Sequence, residues 1–567
     1  MALPGGERRR IHLFEQERLL MSKVIVLGGG VAGLSAAHEL IERGFEVEVY
    51  EQRPDHWGGK ARSMGAPGTG TGGRADLPGE HGFRFFPGFY KHLPDTMTRI
   101  PLGGDWSVAD NLVGTTQIEM TQENADPIIT PAQFPTTLQD FIQTIWELAH
   151  SHTGIPKDES LFFAERLYQI LTSCQERRLG EYEKIAWWDF IDADNKSAEY
   201  QKILGEGLTR SLVAMQAKIA STRTVGDILL QLILNNVTPG VQTDRVLNGP
   251  TNDVWLTPWI NYLTQRGVTL TQNAAVQSLQ LSGRQITGAV VQVGEQSVTV
   301  QGDYYIAAMP VEVMTKLVTS AIAAVSPSLA QIGNLMTRWM NGIQFYLRGD
   351  VPLDHGHCIY LDSVWALTSI SQHQFWPNTN LANYGNGEVT GILSVDISDW
   401  TTPGNKVVLK PAEQCTADEV QTEVWAQLKA HLNRNGQTVL ADENLVGWNL
   451  DPDITFPRSS PMNDGNDEPL LINITDSWQY RPEATIEIPN LFLASDYVRT
   501  YTDLATMEGA NEAARRAVNG ILAASNSNAK LCQLWPFHEP DIFLPLRALD
   551  LIRYKLGRPW GQASPFA

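Results

Sequence analysis

Cysteine is scarce in this sequence. Its 567 residues include four, Cys174, Cys358, Cys415 and Cys532, far apart and without a CxxC pair, which argues against a disulfide framework or a zinc ribbon. Long apolar runs are missing too. No stretch reaches ~18 uninterrupted apolar residues, so no helix is expected to span a membrane. Positive charge is in deficit: 43 Lys and Arg stand against 63 Asp and Glu, a formal net charge of −20. A surface that acidic repels phosphate backbones, and no nucleic-acid partner is expected. Residues 1–20 carry Arg8, Arg9 and Arg10, then a mixed run broken by Glu15, Glu17 and Arg18. That segment lacks the apolar core of a signal peptide, and it reads as an extension ahead of a chain start at Met21. With 43% hydrophobic and 19% charged residues, the rest has the balance of a folded protein. It is expected in the cytoplasm, free or peripheral on a membrane, with its oligomeric state open.

What is present begins at Lys23. Lys23 to Leu27 (KVIVL) is a short β-branched run of the kind that forms a buried parallel strand. Gly28, Gly30 and Gly33 then give GxGxxG, and Leu34, Ala37, Leu40 and Ile41 fall on one helical face. Gly44 closes that helix, and EVEVYE (Glu46 to Glu51) alternates like a second strand, with Glu51 eighteen positions after Gly33. Gly28 permits the tight turn, Gly30 lets the backbone approach a pyrophosphate, and Gly33 lets helix and strand pack closely. The helix N-terminus offers free N–H groups to phosphates, and Glu51 offers a carboxylate to ribose hydroxyls. This unit binds a dinucleotide. A second match, Gly68, Gly70 and Gly73, has no strand before it and no helical pattern after it, so it reads as a loop. With one usable fingerprint, no separate NADPH domain is visible.

Further along stand EQRPDHWGGKARSM, GEHGFRFFPGFY and, near the other end, NLFLASDYVRTYTDLATMEGANEAARRAV. In this order they resemble the flavin amine oxidase and phytoene desaturase superfamily. The resemblance implies non-covalent FAD, since Cys532 lies beyond the last motif. It also implies an α/β fold: a Rossmann-like FAD-binding domain assembled from residues 21–110, 241–310 and 485–525. An interleaved α+β substrate-binding domain would come from residues 111–240 and 311–484, and residues 526–567 would form a C-terminal extension. Implied cofactor contacts are Gly28, Gly30, Val31, Ala32 and Gly33 in the turn, then Glu51 and Gln52. Gly58, Gly59, Lys60 and Arg62 would lie beside the phosphates, with Gly82, Phe83 and Val276 nearby. Asp496 would hold the ribityl chain, and the N–H groups of Met507 and Glu508 would face the flavin ring.

Amine oxidases of this superfamily commonly place a lysine near the flavin and an aromatic residue just before MEG. Here those places fall on Asn341 and Thr506. The carotenoid desaturase branch is similar in its GGK and in its aromatic-rich stretch, here Gly82 to Tyr90. Phe85, Phe86, Tyr90, Trp478, Tyr480 and Thr506 are the expected cavity residues. Candidates for handling a proton are Glu80, His81, Arg84 and Asp503. The expected activity is dehydrogenation of a hydrophobic, carotenoid-like substrate by hydride transfer to FAD. A redox-neutral isomerase or dehydroxylase of a lipid, an amine oxidase and a non-enzymatic flavin-binding scaffold stay open as alternatives. Helices are expected over Leu138 to His150 and Arg223 to Asn236. His355, His357 and Cys358 lack a distant partner pair, so no metal is expected. In the C-terminal stretch, Phe543, Leu546, Leu549 and Ile552 share a helical face near Arg547, Arg553, Lys555 and Arg558. Two readings compete there: a helix lying in a bilayer interface, or one docked on the cofactor domain.

Overall fold

A computed structural model describes residues 22–123, 126–131, 154–207, 209, 215–236, 244–351, 353–455 and 465–563. The N-terminal extension and the helix expected over Leu138 to His150 lie outside them.

Strands β1 (Lys23–Leu27), β2 (Glu46–Tyr50), β3 (Thr269–Thr271), β4 (Tyr304–Ala307) and β5 (Leu491–Leu493) form one parallel sheet in the order β3-β2-β1-β4-β5. Burial on both faces explains the unbroken β-branched run of β1, whose Val24 to Leu27 are fully buried. Helix α1 (Val31–Glu42) crosses from β1 to β2. Helix α2 (Met507–Ala524) follows β5 and lies along α1, with Asn511 Nδ2 donating to Ser35 Oγ at 2.8 Å. The hairpin-like stretch after residue 273 is a three-stranded antiparallel meander, Ala274–Ser282, Gln285–Val293 and Gln296–Val300, which carries the chain from β3 to β4.

A mixed seven-stranded sheet forms a second layer. Its order is Ile128–Pro131, Gln117–Thr121, Gly356–Tyr360, Leu367–Ser371, Gly391–Ile397, Asn341–Leu347, Leu445–Leu450. Period-two alternation sorts its faces. Leu393, Val395 and Ile397 join a core with Val420, Val424 and Leu428 of the helix Ala417–Leu432, while Asp396 between them faces a cavity. That helix starts on a capping box, Thr416 with Glu419. Helices Lys157–Leu171 and Thr222–Asn236 contribute Phe163, Leu167, Ile228 and Leu229 to the same cavity.

Helix α3 (Leu544–Lys555) sits against the helix Gln175–Gly180 through its polar side. Asp550 is fully buried and takes Arg177 Nε at 3.0 Å, and Arg547 Nε donates to the Leu171 carbonyl at 3.0 Å. The apolar face expected from the sequence is therefore split. Phe543 is buried and Leu546 packs on the core, but Leu549 and Ile552 are 49% and 58% exposed. The paired Asp550 decides the rotation, because an unpaired buried carboxylate costs more than exposed leucines do.

Candidate active site

One cavity of about 560 Å³ runs from the Gly28 turn to an apolar chamber. At its polar end Gly28 has φ +112°, and an added Cβ would lie 2.9 Å from the Ala308 carbonyl oxygen. A Cβ on Gly33 would lie 1.8 Å from the Gly28 oxygen, so only glycine lets α1 approach β1 this closely. A Cβ on Gly30 would meet nothing nearer than Gly59 Cα at 3.8 Å, which leaves room for a phosphate group against the backbone. The start of α1 has no side-chain cap and no acidic residue in its first turn, so its orphan N–H groups are available to an anion. Glu51 Oε2 accepts the Gly29 N–H at 2.7 Å and Oε1 accepts the Arg53 N–H at 2.8 Å. These features fit a bound dinucleotide.

Gly28, Gly30, Val31, Ala32, Glu51 and Gln52 all line this end, as do Gly58, Gly59, Lys60 and Val276. Lys60 Nζ stands 3.1 Å from Glu312 Oε1, and both side chains border the cavity. Arg62 does not. It is buried and paired with Asp453 and Glu468, the latter at 2.6 Å, because a buried guanidinium needs carboxylates more than it can serve a distant phosphate. Gly33 and Gly82 also lie behind the lining. Gly82 is a close-approach position, where a Cβ would sit 2.6 Å from Asp396 Oδ1.

The middle of the cavity is bordered by Asp496, Thr506 and Met507. Thr506 caps α2, accepting the Gly509 N–H at 3.0 Å, and leaves the Met507 and Glu508 amides without an intrahelical acceptor. The Glu508 side chain turns away from the cavity. It accepts the N–H groups of Lys91, His92 and Leu93 at 2.7, 2.8 and 2.9 Å, capping the helix His92–Thr98.

At the apolar end stand Phe83, Phe85, Phe89 and Tyr90. Phe86 is fully buried against Trp255, with ring centroids 5.8 Å apart, and does not reach the cavity. Trp478 and Tyr480 also stand outside it. Trp478 lies beneath Arg223 at 4.3 Å and Arg499 at 5.2 Å, where it stacks on two guanidinium groups. Asn341 is buried in a polar network, donating to Asp451 at 2.6 Å and accepting from Asn466 at 2.8 Å. Its neighbour Met340 lines the cavity in its place, one strand position away and so on the other face.

Of the four proton-handling candidates, two leave the site. Glu80 is closed off by Thr251, whose N–H and Oγ1 donate at 3.0 and 2.8 Å, and burial pushes its carboxyl up to about 7. Asp503 holds a buried cluster with Arg223 and Arg481. His81 and Arg84 do line the cavity. His81 Nδ1 is 2.6 Å from Asp451 Oδ2. Burial alone would lower its pKa, but the Asp451 carboxylate outweighs this and raises it to about 9.

The sequence left two cavity acids, Asp396 and Asp244, unmarked, and read His357 only as part of a rejected metal motif. Asp396 has an unpartnered buried Oδ1, and burial pushes its carboxyl up to about 6 against the pull of Arg84. Nε and Nη2 of Arg84 are likewise buried without a hydrogen-bond partner. His357 lies between Phe83 and Phe85, at 5.0 and 4.4 Å, and burial lowers it to about 4. Asp244, 3.9 Å from His357, is raised by burial to about 7. Nothing local announces them, since strands nearly 150 residues apart bring them together.

Residues 31–522 match the family described as flavin containing amine oxidoreductase. A carotenoid phi-ring synthase of Chlorobaculum tepidum is 31% identical over 125 residues, 21% of this chain and 18% of that protein. A zeta-carotene desaturase of Zea mays is 37% identical over 81 residues, 14% of this chain and 12% of that protein. The chain thus spans less than a fifth of either curated relative. Among solved structures, cyclohexylamine oxidase from Brevibacterium oxydans has a TM-score of 0.58 at 13% identity, covering 89% of this chain and 99% of that one. At that identity it shows a shared fold. The dinucleotide turn, the interleaved second sheet and the match over most of the chain lead to one conclusion: this chain belongs to the flavin-containing amine oxidoreductase family.

Proposed function

We propose that the protein dehydrogenates a hydrophobic, polyene-like isoprenoid. The observation that carries this reading is the lining of the inner cavity. Phe83, Phe85, Met120, Phe163, Leu229 and Ile233 surround it, and the ionisable groups that reach it are His81, Arg84, Asp244, His357 and Asp396. Such a wall gains affinity from each methylene it covers, about 0.8 kcal/mol, whereas a small amine would gain only a pairing with Asp244 or Asp396 against the desolvation of its charge. The short alignments to a phi-ring synthase and a zeta-carotene desaturase support the same substrate class.

FAD held non-covalently along the polar end supplies a two-electron acceptor. In this reading the N–H groups of Val31 and Ala32 hold the pyrophosphate, Glu51 the ribose and Asp496 the ribityl hydroxyls. The Met507 and Glu508 amides at the start of α2 would serve the flavin ring as hydrogen-bond donors. Asp396 takes the proton released as the hydride leaves. Its carboxylate stands in the cavity with a free oxygen and a pKa of about 6, near the value a general base needs at neutral pH. Arg84 beside it favours the charged form.

The test is an anaerobic titration of the yellow protein while the visible flavin band is watched. Polyenes in liposomes bleach the band, and a panel of amines and amino acids leaves it unchanged. Bleaching by an amine alone overturns the reading. If neither class bleaches it while the lipid changes structure, the redox-neutral alternative replaces it.

A further inference from the structure

Helix α3 carries its amphipathicity inside out. A terminal helix docked on a soluble core turns its apolar stripe inward and its charges to water. Here Asp550 is fully buried against Arg177, while Ile542, Leu544, Leu549, Ile552 and Leu556 are 62%, 54%, 49%, 58% and 64% exposed. The positions 542, 549, 552 and 556 follow one helical face. With Leu544 they account for five of the twelve large hydrophobic residues exposed among the described residues, gathered within fifteen positions. Scattered exposed leucines need no explanation, but a contiguous stripe does.

Charge identifies the occupant. From Asp541 to Ala563 the chain carries Arg547, Arg553, Lys555 and Arg558 against two acids, the exposed Asp541 and the buried Asp550, and Arg547 is taken up by Glu539 at 2.8 Å, which leaves Arg553, Lys555 and Arg558 as the cations of this segment. Lys555 and Arg558 are exposed beside the stripe. On a protein of net charge −20, a cationic rim around an exposed apolar ridge matches an anionic lipid surface. A second copy of the chain fits less well. It would set two cationic rims against each other, and one three-turn helix falls short of the ~800 Å² per partner of a stable dimer.

The position also fits. Beneath α3, Phe543 meets Tyr168 at 6.4 Å and Trp560 Nε1 donates to Thr172 at 3.2 Å. The helix they hold, Lys157–Leu171, presents Phe163 and Leu167 to the apolar chamber. The exposed ridge is therefore one helix away from the cavity wall.

We propose that α3 and its flanks, Ile542 to Arg558, dock this protein on the headgroup region of an anionic phospholipid bilayer, with Leu549, Ile552 and Leu556 entering the acyl boundary. This contact gives a lipophilic substrate a source at the protein surface, but the docking itself stands whatever the enzyme's substrate.

The test is co-sedimentation of the full-length holoprotein with vesicles of phosphatidylcholine, alone or with phosphatidylglycerol added. The wild type pellets with the anionic vesicles and far less with the neutral ones. Each large apolar side chain taken out of an interface is worth roughly tenfold in partitioning. The double variant Leu549→Gln/Ile552→Gln accordingly loses about a hundredfold, with its flavin spectrum and melting temperature unchanged because both sites are exposed. Lys555→Glu/Arg558→Glu weakens binding to the anionic vesicles alone, by about fivefold or more for each cation lost. A wild type that stays in the supernatant with both vesicle types, or a double variant that pellets like the wild type, overturns the proposal. So does a wild-type dimer in size-exclusion chromatography that Leu549→Gln/Ile552→Gln converts to a monomer without any vesicle binding. None of these readouts uses turnover, so failure here leaves the substrate proposal untouched.

Discussion

A single hydrogen decides whether Gly33 is tolerated. An added Cβ would lie 1.8 Å from the Gly28 carbonyl oxygen, a clash of backbone against backbone that no rotamer relieves. Gly33→Ala is expected to cost ~3 kcal/mol or more and to abolish flavin retention, read as visible absorbance per mole of purified protein. Asp396 works at the same scale. Its carboxyl titrates at about 6, so the rate of flavin reduction by a substrate should fall as pH drops below 6 and the base is protonated. Asp396→Asn should lower that rate by roughly 10²- to 10⁴-fold and remove the acidic limb, while flavin binding persists. A variant that keeps the limb assigns the base elsewhere, with His357 as the next group to examine. Gly33 was legible in the sequence because its role is local, set by a turn and the helix after it. Asp396 was not, because a carboxylate in an alternating strand looks the same whether it faces a cavity or water.

Helix α2 shows how elements fix the site. Thr506 caps it toward the cavity and Glu508 ties it to the helix His92–Thr98. Thr506→Ala should cost about 1 kcal/mol and leave the flavin spectrum nearly intact. Glu508→Ala strips the buried His92 ring and three N–H groups of their acceptor, and should cost ~3–5 kcal/mol. The ratio of the two losses in thermal or denaturant unfolding checks the assignment. Element existence and order were readable in the first unit of the chain: β1 and β2 begin where their patterns place them, and α1 follows the glycine turn. Orientation was harder. The α3 periodicity gave a helix but left open which way its apolar face turns, since a buried Arg177–Asp550 pair, formed with a residue 373 positions away, sets the rotation. Arg62 and Asp503 were misplaced for the same reason. A charged residue beside a binding motif reads as a ligand contact until its distant partner is known.

Over the whole molecule, buried ionisable groups make stability depend on pH. His81 is raised to about 9 because Asp451 favours its charged form. A raised histidine contributes in full below its ordinary value of about 6.5 and loses that contribution as pH climbs toward 9. The shift corresponds to roughly 3 kcal/mol. The wild type should therefore melt at progressively lower temperature from pH 7 to 9, and His81→Gln should melt lower at neutral pH with a flatter profile over that range. The two-layer architecture also states the central claim. A parallel sheet carries the dinucleotide turn, a mixed sheet and helices wall an apolar chamber, and one cavity joins them.

That claim is tested most directly by the affinity of a homologous series. Isoprenoid polyenes of increasing chain length, added anaerobically to the oxidised protein, should bleach the flavin band with half-saturating concentrations that fall steeply per isoprene unit until the chamber is filled. Leu229→Trp, which fills the chamber, should abolish this dependence and keep the flavin spectrum. A half-saturating concentration that does not change with chain length, or bleaching confined to short amines, would contradict it.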